Sequence, residues 1–216
     1  MILSLDTTSE FGSIALTDCG QIVEEVSLHS PDGFGHVLYE HLDALLARHA
    51  VHVRQMECFA AAAGPGSFTG VRVGLTAVKG LAEATRKKVV AISNLRALAS
   101  FGSAPLRAAV LDARRGEVYA AVYNDRLDLV MPEAVIKLAG WLGTLPPGEF
   151  ELIAQDFSAV ADLVDPLIPR VTAPHALAGA IGRIAWHEFQ CGRARDPGEI
   201  DANYVRRSDA ELFWKD

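Results

Sequence analysis

The chain has 216 residues, half of them apolar, and a net charge of −7. That length holds one large domain or two lobes with a substantial core, while the acidic balance argues against a chain whose main task is gripping nucleic acid, since neutralising phosphates takes a basic face. No apolar run approaches the roughly eighteen residues that span a bilayer, the start Met1-Ile2-Leu3-Ser4-Leu5-Asp6 has no basic leader, and Cys19, Cys58 and Cys191 fit neither a disulfide framework nor a zinc spacing, so a cytoplasmic protein with Cys58 in its core is expected.

In chain order, residues 2 to 6 read as a buried strand ending at Asp6, 12 to 17 as the returning strand and 21 to 28 as a third, making a meander. A helix at about 36 to 49 turns Leu38, Leu42, Leu45 and Leu46 inward. An apolar strand at 58 to 63 then runs into Gly64-Pro65-Gly66-Ser67-Phe68-Thr69-Gly70 and a long helix that starts near Ser67 or Thr69. A strand at 89 to 92 and a short helix capped by Ser93 or Asn94 close the first half.

The order then repeats. Strands at 107 to 112 (again ending in an aspartate, Asp112), 117 to 123 and 127 to 131 precede a helix at 133 to 142. A strand at 150 to 154, a helix at 156 to 164, a strand at 167 to 171 and a helix from Pro174 to about 190 follow. Both halves read β-β-β-α-β-α-β-α, which predicts an α/β protein of two similar lobes, 1–103 and 104–216, divided at Gly102-Ser103-Ala104-Pro105. Three-strand meanders followed by alternating helices and strands match the actin-like ATPase and sugar kinase architecture.

Three stretches carry candidate chemistry. The glycine loop places free amides at a helix start, an anion site by geometry, and Gly64, Gly66, Ser67 and Thr69 are its candidate ligands. The same glycines are also what a tight strand-to-helix turn requires, and the P-loop lysine and GxGxxG spacing are missing. Asp6 and Asp112 end the first strand of each half, where they can hold a metal through water or simply cap the next turn. His36 and His41 are five apart, about 140 degrees around a helix, and do not share one ion. The basic clusters Arg86-Lys87-Lys88, Arg114-Arg115 and Arg193 to Arg195 read as solvated surface. Tyr119 and Tyr123 read as sheet packing, and Asn203 to Glu211 as an extended piece and a polar turn that either docks a partner or packs back over the protein.

On a wheel, the helix after the glycine loop has an apolar stripe of Val71, Leu75, Val78 and Ala82 and a narrow polar one of Arg72, Thr76, Lys79 and Glu83. It is apolar over most of its circumference and needs cover on two sides. Small residues at Gly70, Gly74 and Ala77 suggest that a second helix approaches closely there, making a subunit interface.

Four segments resemble, in this order, the TsaB (YeaZ) proteins of bacteria: Ile2-Leu3-Ser4-Leu5-Asp6-Thr7-Thr8, Gly64 to Leu75, Asp112-Ala113-Arg114-Arg115-Gly116-Glu117-Val118-Tyr119 and Tyr204-Val205-Arg206. The likeness runs from residue 1 to about 211. It implies two actin-like (ribonuclease H-like) lobes, the second reduced, and a subunit of the machinery that installs threonylcarbamoyl on the adenosine next to the anticodon of tRNAs. In that machinery a TsaC-type enzyme makes threonylcarbamoyl-adenylate, a TsaD-type protein transfers the group to tRNA, and a TsaE-type ATPase is needed for turnover. The resemblance implies a non-catalytic partner of the TsaD-type protein, with no metal and no intrinsic cofactor, ATP or ADP at the complex interface staying open, and self-association as a dimer by the same surface when alone. Its pairing surface corresponds to the helices at 36 to 49 and 69 to 84. The residues expected to carry it are His36, Tyr39, Glu40 and Asp43 with Thr69, Arg72, Val73, Gly74, Thr76 and Lys79. The rival expectation is an enzyme of the inter-lobe cleft, an ATPase or a metal-dependent hydrolase, working through Asp6 and Asp112.

Overall fold

A computed structural model describes residues 1–158 and 163–206. Residues 159–162, in the middle of the helix expected at 156 to 164, and the terminal Leu212-Phe213-Trp214 lie outside the described residues.

The first unit holds Met1–Ala97 and His175–Ala202, the second Leu98–Pro174 and the segment beginning at Asn203. In the first, the strands are β1 (Ile2–Asp6), β2 (Phe11–Asp18), β3 (Gln21–His29), β4 (Cys58–Ala62) and β5 (Lys88–Ile92), in sheet order β3-β2-β1-β4-β5. β1 pairs antiparallel with β2 and parallel with β4. The second unit repeats this with β6 (Leu106–Asp112), β7 (Val118–Asn124), β8 (Leu129–Ile136), β9 (Phe150–Ala154) and β10 (Arg170–Thr172), in order β10-β9-β6-β7-β8. The two sheets are one topology written twice: a three-strand meander whose first strand carries two further parallel strands on its other side. This is the two-lobed actin-like class expected from the element order, and the ribonuclease H-like lobes that the resemblance implies.

Helices cover both faces of the first sheet. Successive strand residues point to opposite faces, so Leu3, Leu5, Phe59 and Ala61 look one way, into a core shared with α1 (Leu38–Arg48) and α2 (Phe68–Thr85). Ser4 looks the other way, toward α5 (Ala178–Gln190), where its hydroxyl donates to the Ala178 carbonyl at 2.7 Å. Ser13 Oγ accepts from the Leu177 and Ala178 amides at 3.0 and 2.9 Å, capping that helix. A Cβ on Gly182 would strike Thr17 and sit 2.9 Å from Ser4 Oγ, so helix and sheet touch through their smallest residues. Thr17 Oγ1 is left buried without a hydrogen-bond partner among the described residues. The element order put this helix in the second half of the chain, but its packing assigns it to the first unit, and a ladder bridge between Val89 and Arg195 ties the chain beyond it to the edge strand β5.

α2 finds its second cover within its own unit as well. Its buried side, Val71, Gly74, Leu75, Ala77, Val78 and Ala82, packs on β1, β4 and β5, while single 3-10 turns at Val53–Gln55 and Pro197–Glu199 lie against it. After β5 in the chain comes α3 (Asn94–Ala99), whose first amides are capped by Ser93 Oγ. Cys58 is buried as expected, and burial pushes its thiol up to about 12.

The second core gathers Ala108, Val110, Val122 and Leu152 of the sheet with Leu138 and Trp141 of α4 (Leu138–Leu142). The expected helix at 133 to 142 is shorter because β8 continues to Ile136. Pro132 sits where the register with β7 shifts, on an edge strand, a place where a missing amide costs no ladder bond.

Candidate functional site

The loop after β4 is shaped by the turn after β1. Asp6 is 2% exposed, and its Oδ1 accepts from the Thr8 amide at 2.9 Å and the Thr8 hydroxyl at 2.7 Å. Asn94 Nδ2 donates to that hydroxyl at 2.7 Å, and Asn94 Oδ1 accepts from the Gly64 amide at 3.1 Å. The Ser67 amide donates to the Thr8 carbonyl at 2.7 Å, and Thr7 Oγ1 donates to the Gly70 carbonyl at 2.7 Å. Ser67 is the N-cap of α2, its hydroxyl accepting from the Gly70 amide at 3.3 Å.

The glycines are where Thr7 and Thr8 press. A Cβ on Gly66 would lie 2.7 Å from Thr8 Cβ and from the Thr8 carbonyl oxygen, one on Gly74 would lie 2.7 Å from Thr7 Oγ1, and one on Gly70 would collide with the Thr7 carbonyl oxygen. Gly74 therefore faces inward, buried against Thr7, and not outward as an interface residue. The Gly70 and Gly74 spacing seats the chain's own loop instead of a second helix. In this network the Asp6 carboxylate caps its own turn at Thr8, the Thr8 carbonyl takes the Ser67 amide, and the Ser67 hydroxyl caps the start of α2. Burial, only partly offset by the Thr8 hydrogen bonds, raises the Asp6 carboxyl above its ordinary range. Asp112 is exposed, and its Oδ1 accepts from the Arg114 amide at 2.8 Å, a cap of the turn it opens.

An open groove of about 440 Å³ lies between the start of α1 and the outer face of α2. Leu38, Tyr39, Phe68, Thr69, Arg72, Val73 and Thr76 line it, with Gly35 and Ala77. Tyr39 is 58% exposed and Phe68 is 45% exposed, large side chains left in water beside each other's helices. The Arg72 guanidinium lies 3.7 Å from the centroid of the Phe68 ring, a cation–π contact that holds the charge over an apolar floor. Of the expected pairing residues, Tyr39, Thr69, Arg72, Val73 and Thr76 come together here. His36, Glu40 and Asp43 are exposed nearby on the chain without lining the groove, and Lys79 is half-buried farther along α2.

Phe68 was missed. Its signal is present in the wheel: 68, 72 and 76 fall at steps of four along the polar stripe, so an aromatic residue there stands on the wrong side of an amphipathic helix. His36 is exposed and His41 half-buried, and among the described residues no three His, Cys, Asp or Glu side chains converge as metal ligands. His49 bonds Glu24 at 2.6 Å, and Arg48 beside it helps hold that carboxyl below its usual range.

The chain is similar to known proteins. The family described as TsaD, tRNA N6-adenosine threonylcarbamoyltransferase, matches residues 34–172. A tRNA threonylcarbamoyladenosine biosynthesis protein TsaB of Bacillus subtilis is 27% identical over 99% of this chain and 97% of its own length. The protein of that name from Haemophilus influenzae is 37% identical across 55% of this chain and 51% of its own length. Among solved structures, YeaZ from Pseudomonas aeruginosa superposes with a TM-score of 0.82 at 25% identity, covering 94% of this chain and 98% of that one.

Proposed function

The chain belongs to the TsaD family, in its TsaB (YeaZ) group, and from that premise we propose that it is a non-catalytic subunit of the cytoplasmic apparatus that adds threonylcarbamoyl to tRNA adenosine. Its task is to bind a TsaD-type transferase, and the groove between α1 and α2 is where it does so. The observation that carries this reading is the groove itself: two large exposed rings, Tyr39 and Phe68, with Arg72 stacked on one of them. Aromatic residues and arginine are the side chains that dominate binding energy at protein interfaces when an apolar floor excludes water around them. The caps at Asp6 and Asp112 support a scaffold over a cleft enzyme, because each carboxylate already serves its own turn. A second copy of the chain fits the same surface when the transferase is absent. The TsaE-type ATPase and tRNA are met through the complex, and any ATP or ADP sits at the subunit junction.

The test is light scattering after size exclusion, on the chain alone and mixed with the TsaD-type protein of the same organism. A stable mixed complex that restores threonylcarbamoyl transfer, with the lone chain inert toward ATP, is expected. Phe68→Ala and Arg72→Ala should each weaken that complex by about tenfold or more, while Glu83→Ala, on the same stripe but away from the groove, should not. An unweakened complex with both groove variants would overturn the assignment.

A further inference from the structure

Two basic clusters that stand more than a hundred residues apart in the sequence, Arg86-Lys87-Lys88 and Arg193 to Arg195, meet on one surface of the first unit. α2 ends with Arg86 as its C-cap, the amides of Arg86 and Lys87 bonding back to the Glu83 and Ala82 carbonyls at 3.3 and 2.9 Å. β5 follows at once as an edge strand, and the chain returning from α5 closes on that edge. The Val89 amide donates to the Arg195 carbonyl at 2.8 Å, and the Arg195 amide donates to the Val89 carbonyl at 2.9 Å. Residues directly opposite in an antiparallel pair share a face. Val89 is buried in the core beside α2, so Arg195 stands on the α2 side, where Arg86 and Lys87 end the helix. The 3-10 turn at Pro197–Glu199 lies against α2 and fixes the segment there.

Most of the neighbouring carboxylates are committed. Asp196 pairs with Lys88 at 2.7 Å, the largely buried Glu188 is shared by Arg96 and Arg193, and Glu199 accepts from the Asp196 amide at 3.2 Å. Glu83, one turn before Arg86, is the only other acid within residues 83–88 and 193–199. Arg86 and Arg195 are exposed and Lys87 is half-buried, and among the described residues no ion pair holds any of the three. The negative end of the α2 dipole accounts for Arg86 and Lys87. It does not account for Arg195, which comes from a stretch outside any helix and is set beside them by a backbone bridge. None of the large exposed apolar side chains lies in either segment, so the surface lacks the anchors that a protein interface needs. Cations without such anchors suit phosphates.

The surface also stays clear of the groove. Arg86 is fourteen residues beyond Arg72, about 21 Å along the helix. A standard interface covers about 800 Å² on each side, a disc of roughly 16 Å radius, so a partner seated in the groove leaves these cations in water.

We propose that Arg86, Lys87 and Arg195 form a phosphate-binding surface through which this subunit touches the RNA backbone directly. The choice of RNA rests on the function proposed above; the anion-binding character of the surface does not. A contact of this size is compatible with a chain of net charge −7, because it asks only for a local excess of cations.

The decisive variant combines Arg86→Gln, Lys87→Gln and Arg195→Gln, which removes the charges and keeps most of each apolar stem. The readout is fluorescence anisotropy of an unmodified tRNA transcript, titrated over a range of salt with the complex of this chain and the TsaD-type protein. RNA affinity should fall by about tenfold or more, with the slope of log K against log salt shallower by about 2, while the complex still forms and its thermal midpoint holds. Arg86→Lys with Arg195→Lys should keep both affinity and slope, and Arg126→Gln, which removes an exposed cation of the β7–β8 turn, should leave them as in wild type. Unchanged affinity and slope for the triple variant in an intact complex would overturn the proposal. So would a loss of binding to anionic lipid vesicles with RNA affinity untouched, which would assign the surface to a membrane. Should the wild-type complex not form, the function proposed above fails, and the same titration on the lone chain decides the surface by the same criteria.

Discussion

The turn after β1 and the turn after β6 occupy the same place in the repeated topology, and both begin with an aspartate that accepts the amide two residues on. One is core and the other is surface. Over the first lies the glycine loop and the start of α2, so Asp6 ends up buried with Thr8 and Asn94 as partners. The strand that corresponds to β4 in the second sheet is β9, and the sequence after it, Gln155-Asp156-Phe157-Ser158, has no glycine to let a helix come so near. Asp112 and the arginines after it therefore stay in water. Topology places a residue, but what packs over it decides whether it locks the fold or stays in water.

Substitutions can break this contrast from the large side first. Gly70→Val drives side-chain atoms into the Thr7 backbone, which cannot swing aside; about 2–3 kcal/mol should be lost in urea unfolding. Asp6→Ala strands two buried donors on Thr8 and should cost about 2 kcal/mol by the same measurement. Asp112→Ala, the equivalent change in the exposed turn, should stay within about 0.5 kcal/mol, and an equal effect of the two would refute the comparison. The subtlest test is pH. Because the Asp6 carboxyl is raised in the folded state, the fold binds a proton more tightly than the unfolded chain does. Its stability contribution is full below the ordinary aspartate range and declines as pH rises through the folded-state value. Asp6→Asn should flatten that part of the stability profile.

Much of this was legible in the chain. Short apolar runs bounded by turn residues marked β1 and β2, Ser67 announced the start of α2, and its buried and exposed stripes fell where the wheel put them. What stayed hidden depended on contacts distant in sequence. No local pattern says that Gly182 matches Thr17 and Ser4, so α5 was credited to the wrong half. Gly74 looked like an opening for a foreign helix because nothing nearby in the chain names Thr7 as its neighbour. The groove was half legible: Arg72 stood out as a charge on an apolar helix, whereas Phe68 passed as one more apolar residue and was found only through its exposure.

The return of α5 to the first sheet also sets an order of events during synthesis. Until residues 178–190 have left the ribosome, the face of β1 and β2 that carries Ser4, Ser13 and Thr17 has no cover, and the hydroxyls of Ser4 and Ser13 lack the helix they bind. The second sheet, complete by Thr172, is translated in full during that wait. The sheet that begins first is covered last, so a fragment ending near residue 175 should hold a folded second sheet and an open first one, which is the state a chaperone would meet.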